Sequence, residues 1–487
     1  MPVEESALVS AFEIHGLFGN KYLHVDLSGD QEDSPRGRRL SLLYGNNGSG
    51  KTTALKLLWH ALSASGKQGH RSQIASTPFE RFTIFLCGGD VITFTKTDGP
   101  VGDFKVAVTK NEKKAVEQFY KMLPDGTVTA VPSIREAQPS HQKPLFELDE
   151  MTPRHSAATA WEELSTELYV TLQTGIRRSG MEPDAYVDYL EKLSASPYML
   201  ADDRRIYGDD IDQVASRHRG RRAVDPESGG SSSHAGGVTA ELAVAVQRAS
   251  DMIQKMIING NVSGSRGSNN VYLGILQKIS QSTPREVDTE TRARLNENLK
   301  EISRRTADYS KYGLMPKLHE ESFLEVLGRT PDSRLDVAEE VLQPFVEAQV
   351  ARLDALDPVA GLLATLTREI DRFFESSGKH VKYRSQTGVR VLSEDNESLS
   401  PENLSSGERQ ILLLLLNTVL ARQNTRLFLI DEPELSLNVK WQRQLMGALM
   451  SLTEGTPVQF VVATHSIEVI TGHRDSLAKV APRKLGD

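Results

Sequence analysis

The stretch GNNGSGKTT, Gly45 to Thr53, sets Gly45, Gly48 and Gly50 ahead of Lys51, Thr52 and Thr53, and it fits the pattern G-x-x-x-x-G-K-[ST]. Glycines let successive backbone N–H groups, with those of Asn46, Asn47 and Ser49 among them, turn toward a polyphosphate. A helix N-terminus behind the loop adds positive potential; Lys51 reaches the β- and γ-phosphates, and the Thr52 hydroxyl suits Mg²⁺. A second stretch, RLFLIDEPELSLN, carries an apolar run from Leu427 to Ile430 that ends in Asp431 and Glu432. A buried strand holds two carboxylates only at its open end, where α/β sheets bind ligands. Asp431 there suits Mg²⁺ through water, and Glu432 suits polarising an attacking water. QFVVATHSIEVI repeats the design and delivers Thr464, His465 and Ser466 to an edge where an imidazole can sense a γ-phosphate. Finally NLSSGERQILLLLLN puts Ser405, Ser406, Gly407 and Glu408 at the mouth of a leucine-rich helix, which the spacing caps at Ser405 or Ser406.

These groups need a scaffold. FEIHGLFGNKYLHVDL and RLSLLYG read as short strands leading into Gly45, and TTALKLLWHAL has helical apolar spacing at Leu55, Leu58, Trp59 and Leu62. RFTIFLCGGDVITFTK reads as a hairpin and predicts an antiparallel flank on a mainly parallel sheet. Leu145 to Gly180 read as helical, and SPYMLADDRRIYGDD as a buried strand ending in charge. SRHRGRRAVDPESGGSSSHAGG is basic, then glycine- and serine-rich, without apolar period. Helices follow from Thr239 to Ser376, with Pro344 and Pro358 predicted to interrupt the last of them. HVKYRS and GVRVLSED then return the chain to sheet. The expected divisions are residues 1–215, the segment with the G-x-x-x-x-G-K-[ST] pattern; 216–238, a linker; 239–376, a helical insertion; and 377–487, the segment with the capped leucine helix and both strand-end motifs.

Composition bounds the rest. With 487 residues the chain can build more than one core, and a net charge of −8 excludes a surface that is basic throughout. Cys87 is the only cysteine, which excludes an intrachain disulfide and predicts a core thiol. The start lacks a signal peptide's order and the longest apolar run, Ile411 to Leu416, is too short for a bilayer, so the expectation is a cytoplasmic chain without a membrane partner.

Through these motifs the chain resembles the ATP-binding-cassette class of AAA ATPases, in the branch that includes SMC, RecF and OLD-type proteins. The resemblance covers Phe12 to Lys96 and Glu402 to Ile470. Gly45 to Thr53 match its phosphate loop, Leu404 to Gln410 its signature, Leu427 to Glu432 its Walker B strand, Ser436 to Asn438 its D-loop and His465 its switch histidine. It implies an α/β P-loop NTPase of ABC type, a mixed sheet with antiparallel flank and inserted helical lobe. It also implies ATP and Mg²⁺ as ligands, ATP hydrolysis, and a homodimer or higher oligomer in which Ser405 to Glu408 cap the nucleotide of another protomer. For the glutamine of the Q-loop, Gln138, Gln173 and neither of them stay open. So do nucleotide-edge or surface roles for Arg204 and Arg205, and nucleic-acid or solvent contacts for Arg217, His218, Arg219, Arg221 and Arg222. Asp332 to Glu375 carry ten acidic and four basic side chains, a poor grip for a duplex and a better one for protein. The combination of DEPELSLNVKWQRQL with THSIEVI and a short helical insertion resembles the stand-alone ATPase subunits of bacterial anti-phage systems such as Septu and PARIS. These would control a separate effector, a nuclease or toxin; the alternative is an SMC- or RecF-like DNA-repair ATPase.

Overall fold

The computed structural model describes residues 7–28, 38–46, 48–66, 69–111, 113–131, 184–201, 206–208, 234–265 and 290–481. The predicted helices from Leu145 to Gly180 lie outside the described residues, as do Asn47, Gln138, Gln173, Arg204, Arg205 and the basic run from Arg217. The described residues form two compact units, one within 1–12, 24–63 and 194–482 and the other within 13–23 and 64–193.

In the first unit, β3 (Leu40–Tyr44), β9 (Tyr198–Leu200), β10 (Ile206–Gly208), β14 (Leu427–Asp431) and β15 (Gln459–Thr464) form one sheet in the order β10-β9-β14-β15-β3. All its pairings are parallel except that of β10 with β9. Every residue of β14 and β15 is buried, the near-continuous apolar reading of strands covered on both faces. Helix α1 (Lys51–Leu62) packs on β9, β14 and β15, with Leu55, Leu58, Trp59 and Leu62 all buried as their spacing predicts. At the other end of β15, the buried Gln459 side chain replaces a strand partner. Its Oε1 accepts from the Leu8 and Val9 amides at 3.0 and 2.9 Å, and its Nε2 donates to the Val9 carbonyl at 2.8 Å.

The second unit carries the predicted hairpin, β4 (Arg81–Leu86) paired antiparallel with β5 (Val91–Lys96). It continues through β6 (Phe104–Lys110), β7 (Lys113–Met122) and β8 (Val128–Val131), with α2 (His70–Ser76) and α3 (Ala185–Leu193). The hairpin thus belongs to a second sheet; in the parallel sheet the antiparallel member is β10. Strands β1 (Val9–Leu17) and β2 (Lys21–Asp26) contribute residues to both units. Cys87, expected in a core, is half-buried in the β4–β5 turn, because a two-strand reversal leaves its tip no second layer.

The helical segment of the first unit comprises α4 (His234–Ser265), α5 (Thr291–Lys311), α6 (Glu321–Arg329) and α7 (Leu335–Phe374). The prolines do not interrupt α7, which runs through both as one helix of 40 residues. A helix-interior proline costs about 3 kcal/mol. Leu353, Leu356, Val359, Leu363, Leu366 and Ile370 keep an unbroken buried stripe across Pro358, each contributing about 1.5–3 kcal/mol, so packing prevails. Arg305 of α5 braces the same turn through Asp354 and Asp357, at 2.9 and 2.8 Å. Between α6 and the start of α7 lies an apolar groove of about 840 Å³ lined by Phe323, Val326, Leu327, Val337 and Val341.

After a three-stranded sheet of β11 (His380–Arg384), β12 (Gly388–Leu392) and β13 (Ser398–Leu399) come α8 (Ser406–Asn424), α9 (Val439–Leu452), α10 (Ile467–Thr471) and β16 (Lys479–Ala481). Leu412 to Leu416 are all buried, because α8 packs on α4, α7 and α9.

Replacing Gln459 by Leu strands two buried amides and one carbonyl. We expect a loss of about 2–4 kcal/mol in unfolding free energy by urea denaturation, with the m-value unchanged.

Candidate functional site

Three parallel strands end at one edge. The register sets Asp431 beside Ala463, and Thr464 beside Tyr44, so the residues that follow, Glu432, His465 and Gly45, emerge side by side. Neither face of the sheet can hold a charge in these strands, so the carboxylates and the imidazole appear where the strands stop.

The loop from Gly45 leads from β3 into α1. Gly48 and Gly50 take left-handed backbone, φ 76° and 100°, which glycine adopts without strain. Gly50 is the N-cap of α1 and offers no side chain, and the first turn holds no acid, so among the described residues no side-chain cap bond is made there. Lys51 Nζ folds back on the loop, donating to the Gly45 and Asn46 carbonyls at 2.7 and 3.2 Å, and the Ser49 amide donates to the Asn46 carbonyl at 3.2 Å. The ammonium is thereby held over the mouth of the loop. Thr52 and Thr53 sit half-buried in the first turn of α1.

Asp431, 2% exposed, closes β14. Glu432 takes left-handed backbone, φ 47°, a strained choice for a non-glycine residue. Its amide is tied to the Ala463 carbonyl at 2.9 Å. His465 Nδ1 stands 3.4 Å from Glu432 Oε1. A hydroxyl and a carboxylate are a donor set that fits Mg²⁺, an ion that completes its shell with phosphate and water. Among the described residues no cluster of three His, Cys, Asp or Glu forms a self-sufficient metal site.

The second loop is capped from within. Ser405 is the N-cap of α8 and forms a capping box: its Oγ accepts from the Glu408 amide at 3.2 Å, and Glu408 Oε2 accepts from the Ser405 amide at 2.7 Å. Glu408 is buried, and Lys379 Nζ donates to both its oxygens at 2.9 and 2.8 Å. Burial pushes this carboxyl up, but the bonds from Lys379, Ser405 and Ser377 outweigh it and hold the group below the usual carboxylate range. Lys379 was not legible as a partner, since 29 residues separate it from Glu408 and no local pattern links them. Ser405 and Ser406 are exposed while Gly407 is buried. A Cβ at Gly407 would lie 2.9 Å from the Ser436 carbonyl and 3.1 Å from the Trp441 ring, so the glycine admits the Ser436 backbone of its own chain.

Sequence reasoning also passed over Glu434, two residues beyond Glu432, and Gln442 on α9; both bond to groups around His465. The signal was a third acid in DEPE placed where the chain turns back under the strand edge.

Residues 281–471 match the AAA_21 family profile, described as AAA domain, putative AbiEii toxin, Type IV TA system. No curated protein matches the chain. Solved structures with likeness to it include the Smc head domain with an extended coiled coil bound to the C-terminal domain of ScpA, from Pyrococcus furiosus. It is 14% identical, with 98% of this chain and 96% of that one covered and a TM-score of 0.37. Another is the Smc head domain with a coiled coil and joint from Pyrococcus yayanosii, 12% identical, with 98% and 97% covered and a TM-score of 0.31. The chain has an α/β P-loop NTPase fold, with the phosphate loop, the Asp431–Glu432 strand and the capped α8 all in its first unit. Among the described residues no helix is long and apolar enough to cross a membrane.

Alanine normally improves a helix over glycine by about 1 kcal/mol. At Gly407 the sign should reverse, with a loss of about 1–3 kcal/mol from the forced shift of Ser436 and Trp441, whereas Ser406→Ala should stay within about 0.5 kcal/mol. Paired urea titrations read both.

Proposed function

We propose that this protein binds and hydrolyses ATP, that two copies close around the nucleotide, and that its helical segment holds or releases a separate effector in bacterial anti-phage defence. The observation that carries the reading is the convergence of Gly45, Asp431–Glu432 and Thr464–His465 at one edge, through the register of β3, β15 and β14.

In this reading Lys51 swings from the loop carbonyls to the β- and γ-phosphates, and the leading amides of α1 bind phosphate oxygens. Thr52, and Asp431 through water, would hold Mg²⁺, which would supply positive charge to the phosphates when bound. Glu432 accepts a proton from the attacking water, and the edge of His465 opposite Nδ1 faces the γ-phosphate. Ser405 to Glu408 of a partner copy cap the same nucleotide: the capping box spends the amides of Ser405 and Glu408, so those of Ser406 and Gly407 are the ones that reach phosphate. The defence role is supported by the family description matched over residues 281–471 and by the acidic helical segment, which suits protein better than a duplex. The effector's seat is the groove between α6 and α7. Val326 and Val337 there are 66% and 50% exposed, and an apolar effector helix fits that lining.

Lys51→Ala should abolish most nucleotide binding, whereas Glu432→Gln should bind normally and turn over about 10²–10⁴-fold more slowly. Fluorescent-nucleotide titration and phosphate release distinguish the two, and normal turnover by Glu432→Gln removes the assigned base.

Sharing of the site is tested by mixing two inactive proteins. Gly407 is unsuited to the purpose because any side chain there disturbs the fold. Ser406→Glu is suited: the position is exposed, an acid at a helix start is tolerated, and the new carboxylate repels phosphate. Random pairing of Lys51→Ala with Ser406→Glu gives about half mixed dimers and about a quarter of sites intact. Partial recovery of phosphate release supports the shared site; none, with mixed dimers seen by native mass spectrometry, counts against independent shared sites.

A further inference from the structure

One buried carboxylate at the strand edge has no part in the chemistry above. Glu434 is 4% exposed, in the loop after Asp431 and Glu432. Its Oε1 accepts three bonds from one tripeptide: Thr464 Oγ1 at 2.6 Å, the His465 amide at 2.9 Å and the Ser466 amide at 3.1 Å. His465 Nδ1 lies 3.4 Å from that oxygen and equally far from Glu432 Oε1, so the imidazole edge faces two carboxylates. Glu434 Oε2 is buried and makes no hydrogen bond among the described residues. A brace between two loops needs an acceptor, which a neutral amide would also provide; a buried charge is costly unless something nearby uses it.

The tripeptide is tied onward. Ser466 Oγ donates to Gln442 Oε1 at 2.6 Å, and Gln442 Nε2 donates to the Leu437 carbonyl at 2.8 Å. Leu437 is the middle residue of the D-loop stretch, and its own amide donates to the Glu434 carbonyl at 2.9 Å. The path therefore closes: Glu434 to Ser466, to Gln442, to Leu437 and back to Glu434.

We infer that Glu434 is a positioning residue for His465: its charge keeps the proton on Nδ1, leaving Nε2 as the edge that meets the γ-phosphate, while the Gln442 bonds fix the histidine relative to the D-loop. A carboxylate behind an imidazole sets which nitrogen carries the proton by accepting from one of them. The role in turnover rests on the proposed ATPase reading; the state of His465 does not.

The test is Glu434→Gln, which keeps an acceptor for all three donors and removes only the charge. Histidine-selective ¹⁵N spectra of the whole chain, with His465 assigned by its loss in His465→Gln, should show a protonated Nδ1 in the wild type and a shift toward the Nε2–H tautomer in Glu434→Gln. Phosphate release should fall about 10–100-fold with nucleotide affinity unchanged, the usual scale for a group acting through another. Unchanged spectra and unchanged kcat would make Glu434 a brace only and overturn the inference. A wild type that binds ATP without hydrolysing it removes the proposed activity, yet the spectra still decide for or against Glu434. If Glu434→Gln does not fold, the wild-type spectrum decides alone: an unprotonated Nδ1 on His465 overturns the assignment.

Discussion

The parallel pairing of β14, β15 and β3 is the constraint on which the first unit depends. With β14 and β15 buried along their whole length, these strands admit polar side chains only where they begin and end. Gln459 occupies one end and serves as a surrogate strand for Leu8 and Val9. At the other end Asp431, Glu432, Thr464 and His465 are gathered because burial allows them nowhere else. One register thus secures the core and composes the site, and a slip by one residue would invert every buried side chain of β14.

Helix α8 carries the same economy to the second loop. Its stretch from Ile411 to Leu416 is apolar on every side and packs among α4, α7 and α9, which fixes where its N-terminus lies. Gly407 lets Ser436 approach, the capping box completes the turn, and Lys379 ties Glu408 to the start of β11. The turn is fixed by a carboxylate–amide bond at Ser405 and a hydroxyl–amide bond at Glu408, one residue to either side of Ser406 and Gly407.

The sequence made the strand–loop–helix at Gly45, the capped leucine helix and both strand-end acids legible, because each is a local pattern of a few consecutive residues. What it hid was contact between distant positions: Lys379 with Glu408, Gln459 with Leu8, Gln442 with Ser466. The β4–β5 hairpin was read correctly as a hairpin, but local pattern cannot say which sheet receives it. Pro344 and Pro358 misled for a related reason. The cost of a proline is local, and the buried stripe that overrides it on α7 depends on α4 and α5, which lie elsewhere in the chain.

Those two prolines give α7 a mechanical character. At about 1.5 Å per residue its 40 residues trace about 60 Å, from the groove beside α6 to Phe373, which packs edge-on against Trp441 at 6.0 Å beside the D-loop. Each proline removes one rung of the hydrogen-bond ladder, so bending stiffness falls at two points and stays high in the three segments between and beyond them. Such a helix behaves as a jointed strut. A tilt of about 5° imposed beside Trp441 would move the far end of a rigid rod of this length by about 5 Å; here the joints at Pro358 and Pro344 decide how much of that displacement reaches the groove.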